Sequence, residues 1–259
     1  MKILVVGDIV GEPGRRAVIR SLPKLIVQHG IDFVVGNGEN LAGGFGITPE
    51  VAEEMFEAGV SVLTLGNHAW DKKQAVELIR RDSRILRPAN YPPGVPGQGA
   101  LVMETACGEP IGILQIMGRV FMPMLDCPFR VAQHEVAALK AVAKTIIVDM
   151  HAETTSEKMA MGHFLDGEVS AVVGTHTHVQ TADEQLLPKG TAYLTDIGMT
   201  GPRDSVIGMR KEMAIEKFLT QMPKRLEVAS GPAIFCAVVI DVDGQSGKAK
   251  SIQRLRLEP

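Results

Sequence analysis

The sequence predicts an α/β fold, a mixed sheet or two stacked sheets with helices outside, and three observations carry that expectation. Short β-branched apolar runs recur, each closed by glycine or a polar residue. Helical segments alternate with these runs through the first half, and hairpin signals interleave with them in the second. The 259 residues suit one domain, 1–259, and leave room for two small ones; no internal repeat or low-complexity stretch divides them.

Lys2 to Val6 reads as a strand buried on both faces and closed by Gly7-Asp8. A helix from about Gly14 to His29 follows, then a strand over Phe33-Val-Val35 that enters the glycine-rich segment Gly36 to Gly46. Thr48-Pro-Glu50 reads as an N-cap, a first-turn proline and an acidic first turn, opening a helix to about Ala58. The third strand, Val60 to Leu65, ends in Gly66-Asn-His68, and a helix near Lys72 to Arg81 precedes a Pro- and Gly-rich loop over Arg87 to Gly99. Ala100 to Thr105 and Ile111 to Met117 flank Gly108-Glu-Pro110 as a hairpin. A helix over Val131 to Ala143, a strand over Thr145 to Asp149 ending at His151, a helix over Thr155 to Leu165 and a strand over Val169 to Val173 come next. The last strands are Ala192 to Leu194, then Ala233 to Val242 and Ser251 to Leu257, the final two paired around Asp243-Gly244.

Composition excludes several classes. Hydrophobic residues make up 45% and charged ones 22%, as in ordinary globular chains, and 4% aromatics leave the core to Val, Ile, Leu, Met and Ala. A net charge of -3 gives no basic field for a long nucleic acid. Cys107, Cys127 and Cys236 stand far apart without a C-x-x-C pair, which argues against a disulfide framework or thiolate metal site and for a cytoplasmic setting. Met1 to Val6 is too soon interrupted to be a signal peptide, and no apolar run reaches membrane-spanning length.

Chemistry gathers at the strand ends. Val172-Val-Gly-Thr-His-Thr-His-Val179 places His176 and His178 two apart, and in an extended segment two such imidazoles share a face. Asp8, Glu39, Asn40, Asn67, His68 and His151 each lie within about two residues of another strand's end, the edge where open α/β sheets bind ligands. Carboxylate, amide and imidazole without thiolate suit Mn, Fe or Zn. The set is too large for one ion. Two ions about 3.5–4 Å apart, bridged by Glu39 and a hydroxide, would use it, and such pairs serve phosphoryl transfer.

Asp8, Gly66-Asn67-His68, His151 and Gly174-x-His176-x-His178 together resemble the calcineurin-type metallophosphoesterases, and in detail their YmdB-like branch of bacterial 2',3'-cyclic nucleotide phosphodiesterases, over nearly the whole chain. Two departures from the broad superfamily fit that branch: Asp8-Ile9-Val10 replaces D-x-H, and Gly38-Glu39-Asn40 replaces G-D-x-x-D. The resemblance implies an αββα sandwich of two mixed sheets flanked by helices. It further implies one metal on Asp8, Glu39, Asn40 and His178 and another on Glu39, Asn67, His151 and His176, with iron at both sites and Mn as substitute. His68 then protonates the departing alkoxide; the alternative is a histidine that only orients Asn67. A homo-oligomer also rests on the family alone.

The implied reaction is hydrolysis of a 2',3'-cyclic nucleotide to the 3'-nucleotide by a metal-bridging hydroxide. A phosphomonoesterase or nucleotidase on the same metals is the nearer rival, and a non-hydrolysing regulator that binds cyclic nucleotides or RNA ends the farther one. Arg119 and Phe121 lie in a loop suited either to closing over phosphate or to a surface or subunit contact. Thr200, within Asp196-Ile-Gly-Met-Thr-Gly-Pro202, lines the pocket unless that segment is a plain turn. Glu153, Thr154 and Thr155 support the metal ligands or cap the next helix; His29, His134 and His163 read as structural or solvated.

Overall fold

Alternation along the buried strands decides the architecture. In a strand successive side chains point to opposite faces, so a run apolar at every position needs a layer packed on each side. A computed structural model describes residues 1–258. Strand β1 (Lys2–Val6) passes through Gly7 into the short β2 (Asp8–Ile9), followed by α1 (Gly11–His29), β3 (Phe33–Asn37), α2 (Pro49–Glu57), β4 (Val62–Thr64), α3 (Lys73–Arg81) and β5 (Ile85–Leu86). The chain continues with β6 (Ala100–Glu104), β7 (Pro110–Met117), α4 (Pro128–Lys140), β8 (Thr145–His151), α5 (Thr155–Phe164), β9 (Ala171–Thr175) and β10 (Gln185–Leu186). It ends with β11 (Ala192–Leu194), β12 (Met199–Pro202), α6 (Lys211–Thr220), β13 (Ala233–Val242) and β14 (Ala249–Leu257).

These strands form two mixed sheets. The first has the order β2-β12-β13-β1-β3-β4-β5, with β14 also on β13; β1, β3, β4 and β5 run parallel and β13 antiparallel to β1. The second has the order β10-β11-β9-β8-β7-β6, parallel at its centre and antiparallel at both edges.

Ile3, Val5, Phe33 and Val35 of the first sheet meet Ile113, Ile147, Val173 and Leu194 of the second. On the outer face of the first sheet, Leu4, Val6 and Val34 pack against Leu22 and Leu25 of α1 and Met55 of α2. On the outer face of the second, Ile146, Val148 and Met150 pack against Val136 and Leu139 of α4 and Met161 of α5. The expected αββα sandwich is therefore present, and each of its fully buried aliphatic side chains contributes about 1.5–3 kcal/mol.

Several boundaries differ from expectation. The two-residue strands β5 and β10 are too short to leave a pattern. Helix α6 is not predicted because only Ala214 faces the core while Ile215, Phe218 and Leu219 are exposed, which hides an amphipathic stripe. Pro128, at the start of α4, opens that helix before the expected Val131. Thr48 stands in the N-cap position of α2 with Pro49 behind it, but its side chain makes no capping bond. The C-terminal strands pair antiparallel as expected, around a wider turn in which Asp243 N–H donates to Lys248 O. Among the described residues no helix is long and apolar enough to cross a membrane.

Candidate metal centre

The strand ends meet at one rim, and both sheets supply it. From the first sheet come Asp8 in β2, Glu39 and Asn40 after β3, and Asn67 and His68 after β4; from the second come His151, the last residue of β8, and His176 and His178 beyond β9. Asp8, Glu39, Asn40 and His151 are no more than 2% exposed. Buried charge and imidazole at that density require partners.

The contacts supply them. Glu39 Oε1 lies 3.1 Å from His151 Nε2, which is 3.0 Å from Asn67 Oδ1 and 3.1 Å from His176 Nδ1. Glu39 Oε2 accepts the His68 backbone N–H at 3.2 Å. Asp8 accepts the His176 N–H at 3.1 Å and faces His178 Nε2 at 3.8 Å. Donor atoms of Glu39, His151 and His176 all lie within 4.8 Å of one another.

The outward nitrogens of two imidazoles are tied to protein: His176 Nε2 to Glu153 Oε2 at 3.0 Å, and His178 Nδ1 to the Ile207 carbonyl at 2.8 Å. Such bonds fix ring orientation and leave the other nitrogen to the rim. Glu153 thus acts on His176; it is not a helix cap.

His176 and His178 converge by a different route from the one the sequence predicts. Strand β9 stops at Thr175, and both histidines adopt left-handed backbone, with φ of 95° and 65°. Such conformations cost non-glycine residues energy and persist only where surroundings over-determine them. Asp8 holds the His176 N–H, and Asp196 Oδ2 accepts the Thr177 N–H at 3.2 Å while pairing with Lys158 Nζ at 2.6 Å. Lys158 and Asp196 are each 1% exposed. The lysine lies on the buried face of α5, between Glu157 and Met159, and nothing in its spacing marks it.

On the first-sheet side the turns rely on glycine. A Cβ on Gly66 would stand 2.2 Å from His151 Nε2 and 2.4 Å from Glu39 Oε2, so this position admits no side chain. Gly43, Gly44 and Gly46 take positive φ in the loop beyond Asn40. That loop turns Asn40 Nδ2 onto the Gly44 carbonyl at 3.0 Å.

Electrostatics follow from burial and proximity. Burial opposes charge on His151, but the charge and hydrogen bond of Glu39, with Asp8 and Asp149, raise its pKa to about 9. Burial likewise opposes ionised Glu39, yet His151 and then His68 hold it down at about 2. Burial pushes Asp8 up to about 6 against the pull of His178 and His151. Burial and the neighbouring His151 keep His176 low, at about 3, hence neutral.

A cation suits these groups. Asn40 Oδ1 is buried with no hydrogen-bond partner, in a loop whose amide nitrogen is already spent. An orphaned buried carbonyl oxygen is costly unless something electropositive meets it. It stands in the same loop as Glu39, and the remaining donors are carboxylate, amide and imidazole.

His68 is partly exposed at the rim; its Nδ1 donates to Asp71 Oδ2 at 2.7 Å and Phe45 packs edge-on against the ring. The sequence reading misses Asp71, although its spacing from His68 would have found it. Arg119 is exposed, on a loop that leaves β7 beside His151, with its backbone N–H held by Glu157 at 3.0 Å. Thr200 is a correction: it is fully buried in β12, and its hydroxyl donates to Cys236 O and accepts from Cys236 N–H, both at 3.1 Å. Met199–Pro202 is a strand bridging β2 and β13, so Thr200 has no surface to offer a substrate. His29, His134 and His163 lie in α1, α4 and α5, away from this cluster.

Residues 4–255 match the family described as YmdB-like protein. Over 255 residues the chain is 46% identical to the 2',3'-cyclic-nucleotide 2'-phosphodiesterase of Bacillus subtilis (strain 168), covering 98% of this chain and 96% of that one. A protein of Thermus thermophilus with a known crystal structure superposes with a TM-score of 0.94 at 44% identity, covering 100% of both chains. A phosphatase of Mycoplasma pneumoniae superposes at 0.93 with 35% identity, over 100% of this chain and 93% of that one. With the αββα sandwich, the shared rim and this extent of likeness together, the chain belongs to the YmdB-like family.

Proposed function

We propose that the chain, acting as one domain over residues 1–259, is a metal-dependent phosphodiesterase that opens 2',3'-cyclic nucleotides and leaves the 3'-nucleotide. The observation that carries the reading is the buried Asn40 Oδ1 without a protein partner, in the same loop as Glu39, whose carboxylate packs against His151 and His176. The activity named for the Bacillus subtilis relative supports the substrate.

In this reading Asp8, Glu39, Asn40 and His178 hold one ion and Glu39, Asn67, His151 and His176 the other. The grouping of Asp8 with His178, and of Asn67 with His151 and His176, supports that division. Iron is the proposed metal and manganese its substitute. When bound, the ions supply Lewis-acid neutralisation of phosphoryl charge and a water-derived nucleophile at neutral pH.

The chain's own residues supply the rest. As the bond from phosphorus to the 2' oxygen breaks and a new one to water oxygen forms, His68 gives a proton to that departing oxygen from Nε2. Asp71 occupies Nδ1 and keeps Nε2 as the free nitrogen. Arg119, exposed on its loop beside His151, is proposed to contact phosphate from outside the metal ligands. A homo-oligomer is supported by the apolar residues that α6 exposes, Phe218 and Leu219, and a cytoplasmic setting by three free cysteines. RNA ends that carry the same cyclic group belong to the alternative reading, a regulator that binds without hydrolysis.

The test is anaerobic purification, loading with Fe²⁺ or Mn²⁺, and a panel of 2',3'-cyclic nucleotides, 3',5'-cyclic nucleotides and nucleoside monophosphates. The expected result is selective conversion of the 2',3'-cyclic compounds to 3'-monophosphates. Preferred turnover of monophosphates would make the protein a phosphomonoesterase, and binding without turnover would make it a regulator.

A further inference from the structure

Thr175 has no part in the reading above, yet it lies where three buried polar groups meet. We propose that Thr175 is a positioning residue that commits the His151 proton to Nδ1 and so presents Nε2 to the metal centre. The inference rests on the metal-binding reading.

Asp149 is 1% exposed, and each of its carboxylate oxygens accepts a threonine hydroxyl: Oδ2 from Thr64 at 2.6 Å and Oδ1 from Thr175 at 2.7 Å. Thr175 has one hydroxyl proton, and Asp149 takes it. Only lone pairs of Thr175 Oγ1 then face His151 Nδ1, 2.9 Å away. That contact is attractive only if Nδ1 carries hydrogen; a bare Nδ1 would set lone pair against lone pair inside a dry core.

The competing donor is Asn37. Its Oδ1 accepts the Glu39 N–H at 3.1 Å, which turns Nδ2 toward Thr175 Oγ1 at 3.4 Å and His151 Nδ1 at 3.5 Å. At that length the amide does not compete with the Thr175 contact. With hydrogen fixed on Nδ1, the opposite nitrogen faces Glu39, Asn67 and His176. Because a metal-bound imidazole can use either nitrogen, this choice decides whether His151 points its lone pair at the ion.

The experiment uses the full chain in four forms: wild type, Thr175→Val, Thr175→Ser and Thr64→Val. Mn²⁺ affinity is measured by chelator competition, and thermal unfolding is measured with chelator present. Thr175→Val, which keeps the shape and removes the hydroxyl, is expected to weaken Mn²⁺ binding roughly 10–100-fold. Thr175→Ser restores the hydroxyl and is expected to stay within about threefold of wild type. Thr64→Val strips the other oxygen of Asp149, so it lowers the unfolding temperature much as Thr175→Val does while its Mn²⁺ affinity stays near wild type. Wild-type affinity in Thr175→Val, or an equal loss in Thr64→Val or Thr175→Ser, overturns the inference and leaves the metal site standing. If the wild-type protein binds no Mn²⁺, the metal reading falls and this inference with it.

Discussion

The first sheet delivers Asp8, Glu39, Asn40, Asn67 and His68 on turns permitted by glycine, whereas the second delivers His151, His176 and His178 on segments braced by buried polar side chains. Gly66 leaves space that any Cβ would take from His151 and Glu39, and Gly43, Gly44 and Gly46 take backbone conformations that side chains resist. Opposite them, Lys158 and Asp196 hold the His176–His178 turn, and Asp149 stands behind His151 through Thr175. One half of the rim is therefore vulnerable to added atoms and the other to lost partners. Strain follows the same division: non-glycine positive φ falls on His176 and His178, where bracing offsets it, and on neither Glu39 nor Asn67.

The largest expected effect separates chemistry from scaffolding altogether. His68→Ala, on the glycine-rich side, is expected to lower kcat by about 10²–10⁴ while bound metal is unchanged. Steady-state kinetics paired with elemental analysis checks this, and loss of metal would make His68 a support for Asn67 instead.

Next is the braced side. Lys158→Met leaves Asp196 buried and unpaired, which is expected to cost about 3–5 kcal/mol in denaturant unfolding. It should also loosen the His176–His178 turn, so that metal content falls at temperatures where the variant is still folded. Destabilisation with full metal content would mean that the pair stabilises the fold and not the turn.

A third test uses the proton shared across the two halves. With a folded-state pKa of about 9 against an ordinary 6.5, His151 stabilises the metal-free protein below about pH 6.5, and that contribution is lost as pH rises through about 9. A cation must displace the same proton, so Mn²⁺ affinity is expected to rise by roughly tenfold per pH unit from pH 7 toward 9. Chelator competition and metal-free unfolding temperatures across that range should move in opposite directions; parallel movement would contradict the pairing of His151 with Glu39.

The smallest effect lies outside both halves. Thr200→Val removes the hydroxyl bonded to both backbone atoms of Cys236 and is expected to cost about 1–2 kcal/mol of stability without changing KM.

What was legible in the sequence follows the same physics. Fully apolar strands such as Val172–Val173 and strand-terminal polar residues such as Asp8 and His151 announce themselves, because burial on both faces and an abrupt change to ligand chemistry both leave local patterns. Asp8, Glu39, Asn67, His151, His176 and His178 each approach another of the expected metal-site residues at the rim, and Asn40 stands in the loop beside Glu39. The bracing was not legible: Thr175, Asp149 and Lys158 are unremarkable in their own segments, and their roles arise from partners 26 to 85 residues away. The left-handed turn at His176 was hidden for the same reason, since Asp8 and Asp196 impose it from elsewhere in the chain. Neither expectation for Thr200, pocket lining or a plain turn, anticipates a strand, because glycine and proline in Met199–Pro202 signal a turn while β2 and β13 capture the segment from elsewhere in the chain.

The central claim is that both halves of the rim close on a shared pair of cations. Crystals grown with Mn²⁺ and without chelator, measured for anomalous scattering, test it most directly. The account predicts two Mn²⁺ peaks flanking the Glu39 carboxylate, one beside Asp8, Asn40 and His178 and the other beside Asn67, His151 and His176. A single peak elsewhere, or no peak within reach of Glu39, would contradict it.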